Sequence, residues 1–436
     1  MPRVLRILLI LIGLLLAVSI GVRAQTPSPR IDVLTVKGTI NPVLTDYIGR
    51  GIDDAEDTGA QAVIIQIDTP GGLDTAMRDI IQEIINSRIP VVVYVSPAGA
   101  RAASAGAYIT LAAHIAVMAP STAIGAATPV SLGAEGEAQM SEEMKHKIIN
   151  DAIAYIRDIA ESNGRNAEWA ERAVRDGISS PSQEALELNV VDMIAPDLDT
   201  LIAQLDGREV TLLGGAVVTL NTQGAVINYV DMKLVEDLLY TIADPNIAYL
   251  LLSLAMLGIM VEIFNPGLIF PGVVGAISLL LAFFSLGVLP VNWAGVLLIA
   301  LAFALFLGEV LTTTFGLFTA GGIISLVIGS LILFKGASPV FQVDPWLIAG
   351  VTIVLTAVFA FVVSRAIRAH RKQASTGKED LIGKRAIVKE ALDPEGMIFY
   401  KGERWTAISD KSRVEPGEEV IITEVDGLTL HVIKKE

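Results

Sequence analysis

A serine within a run of small residues is the first candidate for chemistry in this sequence. Ser104 lies in the segment Gly-Ala-Arg-Ala-Ala-Ser-Ala-Gly at positions 99–106, directly after a predicted buried strand. Small residues allow the backbone and a substrate to approach closely, and a serine at a helix start has its hydroxyl in the positive end of the helix dipole. The segment also fits a serine that only caps a helix in a tightly packed stretch. Taken alone, it favours that structural role.

A glycine-rich turn one strand-to-helix junction earlier is the second candidate. The segment Asp-Thr-Pro-Gly-Gly at positions 68–72 follows another predicted strand and precedes a helix. Pro70 fixes one turn dihedral, while Gly71 and Gly72 permit backbone angles that other residues avoid. Amide groups at a helix start can stabilise an oxyanion. Alone, this segment fits a plain strand-to-helix turn better.

A nucleophilic serine needs a base, and His114, Lys145 and Lys147 are the residues considered for that role. Lys145 and Lys147 directly precede a predicted helix, whereas His114 stands at a predicted strand start and is expected to be structural. A free lysine has a pKa of about 10.4, and an apolar environment lowers it towards the range of a useful base. The alternative for Lys147 is a surface ion pair with Glu143 or Asp151, each one helical turn away.

Strand and helix patterns alternate from residue 31 to about residue 200, and these elements must position the candidate residues. Continuous apolar runs predict strands buried on both faces. A period near 3.6 predicts a helix over residues 73–87. The alternation indicates an α/β domain with a largely parallel sheet, with predicted strands at residues 31–36, 62–67, 91–95 and 115–119.

Composition indicates a membrane protein and excludes several kinds of site. Hydrophobic residues make up 52% of the chain and charged residues 18%, and the mean hydropathy is +0.58, so the apolar excess must lie in bilayer segments. The formal net charge of −15 argues against nucleic-acid binding. The chain has no cysteine, which excludes disulfides, cysteine-ligated metals and a cysteine nucleophile. We expect neither a cofactor nor a metal.

An almost uncharged stretch from residue 247 to 367 predicts about five transmembrane helices. A basic cluster from Arg365 to Lys372 follows the last of them and belongs on the cytoplasmic side. An odd number of spans then places residues 31 to about 240 outside the cytoplasm. Each span is close to the roughly 20 residues needed to cross a bilayer, and the predicted spans are 247–263, 268–289, 293–310, 315–334 and 346–367.

The first 24 residues are predicted to be a signal peptide or an uncleaved anchor. Arg3 and Arg6 supply a positively charged start, and residues 5–20 supply an apolar run. Val-Arg-Ala at positions 22–24 then offers small residues for cleavage. In both cases the chain that follows is exported. This agrees with the topology that the basic cluster predicts.

The last 59 residues read as a small all-β domain at 378–436, with five short strands and turns rich in Gly and Pro. This pattern suggests an OB-type barrel. It lacks a strong basic and aromatic face, so we expect protein contact or oligomer support instead of nucleic-acid binding. Glu262 and Glu309 lie near predicted span ends, and the sequence leaves their roles open.

The glycine turn and the serine segment together resemble the ClpP and crotonase superfamily. There an early Gly-Gly turn and the amide after the serine form the oxyanion hole, which implies Gly72 and Ala105, with Gly71 beside them. Residues 180–192 resemble the closing helix of that superfamily, with Asn189 in place of its usual glycine. Asparagine is the next best residue for a left-handed helix end.

The base differs from that of ClpP, because residues 126–129 read Ala-Ala-Thr-Pro and the expected histidine is missing. The segment from Lys147 to Asn150, with Ala-Tyr-Ile at 154–156, resembles the catalytic-lysine segment of long-form NfeD proteins. Those are membrane-bound serine proteases with this three-part layout. The resemblance covers nearly the whole chain, including residues 244–246, 314–319, 368–370 and 424–430. Lys145 is the reserve base.

The resemblance implies a ClpP-like serine protease domain at 30–230, a transmembrane domain at 245–368 and an NfeD-type barrel at 378–436. It implies a Ser104–Lys147 dyad that cleaves hydrophobic segments of proteins such as stomatin-like partners. It also implies a homo-oligomer, a dimer or higher, in the cell membrane. The alternative is a non-catalytic scaffold that binds stomatin-like proteins, because short NfeD relatives lack the protease domain. An acyl-CoA enzyme of crotonase type is a distant third, since it leaves Ser104 unexplained.

Overall fold

The computed structural model describes residues 28–129, 141–312, 316–334, 341–371 and 378–435. The predicted N-terminal signal or anchor therefore lies outside the described residues. The chain divides into two compact units, which we describe separately. The first contains the N-terminal domain and membrane helices up to residue 305, together with residues 320–353. The second contains residues 306–319 and everything after residue 353.

Strands and helices alternate through the N-terminal domain, as the sequence predicts. Its elements in chain order are β1 (Arg30–Lys37), α1 (Pro42–Thr58), β2 (Ala62–Asp68), α2 (Asp74–Asn86), β3 (Val91–Val95), β4 (Arg101–Ala103), α3 (Ala105–Ala112), β5 (Ile115–Met118), β6 (Ala123–Gly125), α4 (Glu142–Ser162), α5 (Ala167–Arg175), β7 (Ser179–Pro181), α6 (Ser182–Glu187), β8 (Met193–Ile194), α7 (Leu198–Leu205), β9 (Glu209–Thr211), β10 (Val217–Thr219), β11 (Val226–Tyr229) and α8 (Leu234–Ile242).

A six-stranded sheet in the order β11-β1-β2-β3-β5-β8 forms the centre of this domain. All of its pairs are parallel, which confirms the predicted parallel α/β architecture. Every residue of β3 is buried, because apolar cores cover both faces of the sheet. A small second sheet, β4-β6-β7, lies beyond the carboxyl ends of the central strands.

The end of α6 shows how the sequence sets a helix boundary. The helix ends at Glu187, and Asn189 follows with a φ of 55°. The predicted left-handed conformation at this position is therefore confirmed. The Asn189 side chain also donates to the Gly164 carbonyl at 2.9 Å, so this asparagine supplies a contact that glycine could not make.

His114 has the structural role that its strand-start position predicts. The Val91 amide donates to His114 Nδ1 at 3.2 Å. Burial and the neighbouring positive charge of Arg165 lower the pKa of His114 to about 4. The imidazole is therefore neutral in the folded chain at neutral pH, and it serves as an acceptor for a strand amide.

Acid is expected to destabilise this domain through His114. Its pKa in the folded chain is below the ordinary 6.5, so His114 contributes stability that is complete above about pH 6.5 and is lost as the pH falls towards 4. The full shift corresponds to roughly 3 kcal/mol. His114→Gln keeps an acceptor for Val91 but cannot titrate. Its thermal midpoint, followed by tryptophan fluorescence of the intact chain, should fall less between pH 7 and 4.5 than that of wild type. If the thermal midpoints of His114→Gln and wild type fell equally between these pH values, His114 would not be the source of the acid sensitivity.

Three helices in the described residues are long and apolar enough to cross a membrane: α9 (Pro245–Phe264), α10 (Ile269–Val288) and α11 (Trp293–Leu311). Two shorter apolar helical segments follow, α12 (Leu317–Ile332) and the first part of α13 (Pro345–Arg371), at residues 345–361. The multi-span membrane domain is thus present. The count of five spans stays a prediction, because the last two apolar segments are shorter than the first three.

Glycines bring α9 and α10 into close contact. A Cβ atom at Gly258 would lie 2.8 Å from the Cα atom of Gly275. The missing side chains of these two glycines therefore let the helices of this hairpin pack backbone against backbone. Glu262 lies near the hairpin tip, where its Oε1 accepts from the Gly267 amide at 3.4 Å. Its Oε2 is buried without a partner among the described residues.

The second unit contains the C-terminal barrel. After α14 (Lys378–Leu381), the strands β12 (Arg385–Glu390), β13 (Glu395–Tyr400), β14 (Glu403–Ser409), β15 (Glu419–Asp426) and β16 (Thr429–Lys434) close in the order β12-β13-β14-β16-β15. The five predicted strands are confirmed. Glu309 also belongs to this unit, and its carboxylate accepts from the Gly316 and Thr319 amides at 2.8 and 3.1 Å. It therefore stabilises the start of α12.

Candidate active site

The two candidate motifs lie side by side at the carboxyl edge of the central sheet. The Thr69 amide donates to the Arg101 carbonyl at 2.8 Å, and the Ala103 amide donates to the Thr69 carbonyl at 3.1 Å. The Arg101 amide also donates to Asp68 Oδ1 at 3.1 Å. These bonds join the turn after β2 to β4, so they bring the glycine turn directly to Ser104.

Gly71 packs against Ser104 so closely that no larger residue fits. A Cβ atom at Gly71 would lie 2.7 Å from Ser104 Cβ and 3.1 Å from Ser104 Oγ. Gly71 also has a φ of 117°, a conformation that other residues rarely adopt. The turn is therefore shaped around the serine side chain, which is more than a plain strand-to-helix turn requires.

We expect Gly71→Ala to destabilise the domain and to impair the site. The substitution introduces both an unfavourable φ, which costs about 1–3 kcal/mol, and the close contact with Ser104. Gly59→Ala is a matched control, because Gly59 has a φ of 68° but no atom within 4 Å of its Cβ position. The thermal midpoint should fall further for Gly71→Ala than for Gly59→Ala. Equal losses would show that Ser104 does not restrict this position.

The backbone of Ser104 is strained. Its φ of 52° and ψ of −117° place it outside the regions that residues with a side chain favour. Ser104 precedes α3 directly, yet its side chain makes no capping hydrogen bond. The hydroxyl has no hydrogen-bond partner in the described part of the chain. The alternative of a simple capping serine is therefore not what the structure shows, and strain of this kind is typical of functional sites.

Two of the three amides predicted for an oxyanion hole are available. Across the described residues, the Gly72 and Ala105 amides have no protein acceptor. Ala105 is the first residue of α3, where amides lack acceptors within the helix. The Gly71 amide instead donates to Thr69 Oγ1 at 3.0 Å. Gly71 therefore provides space for the Ser104 side chain, and its amide is not a free hydrogen-bond donor.

Both lysines considered as the base pair with glutamates of their own helix. Lys147 Nζ forms an ion pair with Glu143 at 3.1 Å, and its side chain is 66% exposed. Lys145 Nζ pairs with Glu142 at 3.0 Å. Neither lysine hydrogen-bonds to Ser104 within the part of the chain that the structure describes. Both lie in the first two turns of α4, shortly after residues 130–140, which lie outside the described residues.

Asp151, the other possible partner of Lys147, forms a salt bridge with Arg78 instead. It accepts from Arg78 at 2.7 Å. The Arg78 guanidinium in turn lies 4.3 Å from the ring centroid of Tyr155. Tyr155 stacks on Tyr108 with ring centroids 6.2 Å apart.

These aromatic contacts join α2, α3 and α4 next to the site, and no sequence motif predicted them. Tyr108 stands one helical turn after Ser104, and burial raises its pKa. The only sequence signal was an aromatic residue four positions after the serine. The contacts hold the body of α4 against α3, so the position of its first turns depends on this cluster.

No group of three or more His, Asp or Glu side chains is placed to hold a metal in the described ranges. The predicted absence of cofactors and metals stays a prediction. The chemistry that this arrangement can perform is attack by a serine hydroxyl next to two free amides.

Comparisons with known proteins cover all three parts of the chain. Residues 30–200 match the family model "NfeD1b, N-terminal domain". Residues 246–365 match "NfeD integral membrane domain". Residues 378–434 match "NfeD-like C-terminal, partner-binding domain".

Two curated relatives match over nearly their whole length. The chain is 41% identical over 413 residues to "Membrane-bound protease PH1510" of Pyrococcus horikoshii, covering 93% of each chain. It is 30% identical over 445 residues to "Membrane protein NfeD1b" of Bacillus subtilis, covering 96% of each. A solved structure of the 1510-N membrane-bound stomatin-specific protease, a lysine-to-alanine mutant with a substrate peptide, is 36% identical. It covers 50% of this chain and 98% of that one, with a TM-score of 0.46.

The fold and the site define a multi-span membrane protein whose N-terminal α/β domain carries a strained serine beside free amides. The similarity over more than nine-tenths of the chain then gives the family. The chain belongs to the NfeD family, in its long form with an N-terminal protease domain.

Proposed function

We propose that this chain is a membrane-anchored serine endopeptidase with Ser104 as nucleophile and Lys147 as general base. The observation that carries the proposal is the strained backbone of Ser104, with a φ of 52°, packed against Gly71. A serine that only caps a helix has no need of this conformation. Nucleophilic serines in other hydrolases occupy similarly sharp strand-to-helix turns.

The proposed reaction proceeds by acyl transfer. Ser104 Oγ attacks the scissile carbonyl while the neutral amine of Lys147 accepts the hydroxyl proton. The Gly72 and Ala105 amides stabilise the resulting oxyanion. The lysine then gives its proton to the leaving amine, and an acyl ester remains on Ser104. The same lysine then deprotonates a water molecule, which attacks the ester carbonyl; the bond to Ser104 Oγ breaks, the lysine returns its proton to that oxygen, and the carboxylic product leaves.

Formation of this dyad requires Lys147 to leave its ion pair with Glu143. The helix is anchored by buried residues from Ala152 onward, whereas Lys147 and Glu143 are exposed. Release of Lys147 from Glu143 costs little, because exposed ion pairs contribute less than about 1 kcal/mol. A bound substrate that excludes water would favour the neutral lysine at the serine. Lys145 remains the reserve base, because it lies on the same helical start.

The proposed substrates are hydrophobic segments of membrane-associated proteins, in particular stomatin-like proteins. The sequence resemblance to long-form NfeD proteases implies this class. A solved relative is described as a stomatin-specific protease, and we extend that description to this chain as part of the proposal. The barrel, which matches a partner-binding domain, would hold such a partner near the membrane.

The architecture proposed around this activity follows the sequence. We propose a ClpP-like protease domain over residues 30–230 that lies outside the cytoplasm, and a barrel over 378–436 that lies inside it. The membrane domain at 245–368 would cross the bilayer five times. A homo-oligomer, a dimer or higher, completes this proposal.

One observation favours the second candidate, a non-catalytic scaffold for stomatin-like proteins. Lys147 pairs with Glu143, and a scaffold needs no base beside Ser104. The scaffold would nevertheless have no use for the strained serine.

Cleavage of an apolar peptide library by the full-length chain in lipid nanodiscs separates the two candidates. The protease proposal predicts wild-type cleavage that is absent in Ser104→Ala and retained in Ser121→Ala. Ser121 is a matched control, because it is exposed and also has a positive φ, of 64°. A folded wild-type chain that cuts no member of the library, while binding a stomatin-like protein, would support the scaffold.

A further inference from the structure

The short helix α8 joins the protease domain to the membrane domain. It ends at Ile242, three residues before Pro245 begins the first membrane helix. Tyr240 Oη in α8 donates to the Lys37 carbonyl at the end of β1, at 2.7 Å. Ser285 in α10 donates through Oγ to the Ile242 carbonyl. The carboxyl end of α8 is thus bound to both the central sheet and the membrane hairpin.

The inner side of α8 is held by polar contacts. Arg50 in α1 pairs with Glu236 at 2.7 Å. The Lys233 amide also donates to the Glu236 carboxylate at 2.7 Å, which stabilises the helix start. These contacts fix the rotation of α8 about its axis, and so they determine which side chains face outward.

The outward side of α8 is apolar and uncovered. Leu234 is 87% exposed, Val235 62% and Leu238 53%. Positions three and four apart lie on one helical face, so these side chains form a continuous apolar stripe. Exposed leucines at this density are uncommon on a surface that faces only water.

We propose that α8 is an interfacial helix whose Leu234, Val235 and Leu238 insert into the outer boundary of the bilayer. The continuity of α8 with the membrane domain favours lipid as the partner of this face. Three residues span at most about 11 Å, so the end of α8 lies within that distance of the start of a membrane-spanning helix. Interfacial helices combine an apolar face with a polar face in this way.

This placement orients the candidate site towards the membrane. Strands β1, β2 and β3 are parallel, so their carboxyl ends share one edge of the sheet. Lys37 at the end of β1 holds α8, and the turn with Gly71 and the segment with Ser104 follow β2 and β3. The serine therefore lies on the sheet edge that faces the bilayer. This consequence rests on the proposed function, whereas the position of α8 does not.

Single-cysteine spin labelling tests the position of α8 without any measurement of activity. The natural chain has no cysteine, so Leu234→Cys and Leu238→Cys can each carry one nitroxide in the full-length protein in nanodiscs. Leu254→Cys, on an exposed position of α9, is the lipid control. Asp57→Cys, near the opposite edge of the sheet at the end of α1, is the water control.

The proposal predicts that labels at 234 and 238 collide preferentially with oxygen, as at 254. A water-soluble nickel complex should collide with them several-fold less than with the label at 57. Nickel collisions at 234 and 238 equal to those at 57 would overturn it. Spectral broadening that disappears on dilution with unlabelled chain would also overturn it, because a second copy would then cover this face. Lipid contact without peptide cleavage would leave α8 as proposed and reject only the protease.

Discussion

Replacing Ser104 with alanine is expected to lower peptide cleavage by about 10⁴-fold or more, because removal of a covalent nucleophile removes the reaction path itself. The remaining amides of Gly72 and Ala105 could still bind a carbonyl but could not attack it. The measurement is the cleavage rate of an apolar peptide by the full-length chain in nanodiscs. Ser121→Ala should retain the wild-type rate, because the Ser121 side chain is exposed. Ser121 contacts the serine segment through its backbone carbonyl, which accepts from the Gly99 amide at 3.1 Å and which alanine retains.

The loss of activity in Ser104→Ala should not come from unfolding. Alanine retains a Cβ atom, so the strained φ of 52° at this position persists and the thermal midpoint should stay close to that of wild type. Ser104→Gly removes the Cβ and should raise stability by about 1 kcal/mol while remaining inactive. A Ser104→Ala chain that is folded and still cleaves the peptide would reject Ser104 as nucleophile.

Lys147→Ala should reduce cleavage by roughly 10²- to 10⁴-fold, the usual contribution of a general base. Lys145→Ala is the matched control, because it removes the same charge two residues earlier in the same exposed helical turns. The rate for Lys145→Ala should stay within a few-fold of wild type. The measurement is again the peptide cleavage rate, with the thermal midpoint followed for both variants.

The pair of lysine variants also decides between the proposed and reserve bases. Loss of cleavage in Lys145→Ala alone would assign the base to Lys145. Full activity in both single variants and in the double variant would reject a lysine base. Glu143→Gln gives a further check, because it frees Lys147 from its ion pair. That variant should be at least as active as wild type if Lys147 must leave Glu143 to reach the serine.

The parallel sheet, the membrane helices and the five-stranded barrel could be predicted from the sequence. Their signals are local: buried runs such as residues 62–67, a long apolar stretch, and turn residues between short strands. The proximity of the Gly71 turn and Ser104 was also predictable, because both follow parallel strands whose carboxyl ends share one edge. The contacts of Thr69 with Arg101 and Ala103 confirm that proximity.

The strain at Ser104 could not be predicted in this way. An Ala-Ser-Ala sequence carries no signal for a positive φ, because the conformation is imposed by distant contacts. The Ser104 amide donates to the Gly125 carbonyl at 3.0 Å, and Gly71 packs on the side chain. Both partners lie more than 20 positions away in the sequence, so no local pattern reports them.

The contacts of the lysines and the orientation of α8 could not be predicted from the sequence either. Spacing along a helix allowed Lys147 to pair with Glu143 or to reach a serine, and only the tertiary structure shows that Arg78 already occupies Asp151. The apolar stripe with Leu234 and Leu238 could have been read as core. The stripe is exposed because the ion pair between Arg50 and Glu236 turns the opposite face of α8 towards the domain.

Trapping the acyl-enzyme would identify the nucleophile by its covalent adduct. The full-length chain in nanodiscs would be mixed with an activated ester of an apolar dipeptide, quenched in acid within the first turnover, digested and analysed by mass spectrometry. We expect an acyl adduct on Ser104 in wild type and no adduct in Ser104→Ala. Turnover of the ester with the adduct on another residue, or with none at Ser104, would contradict it.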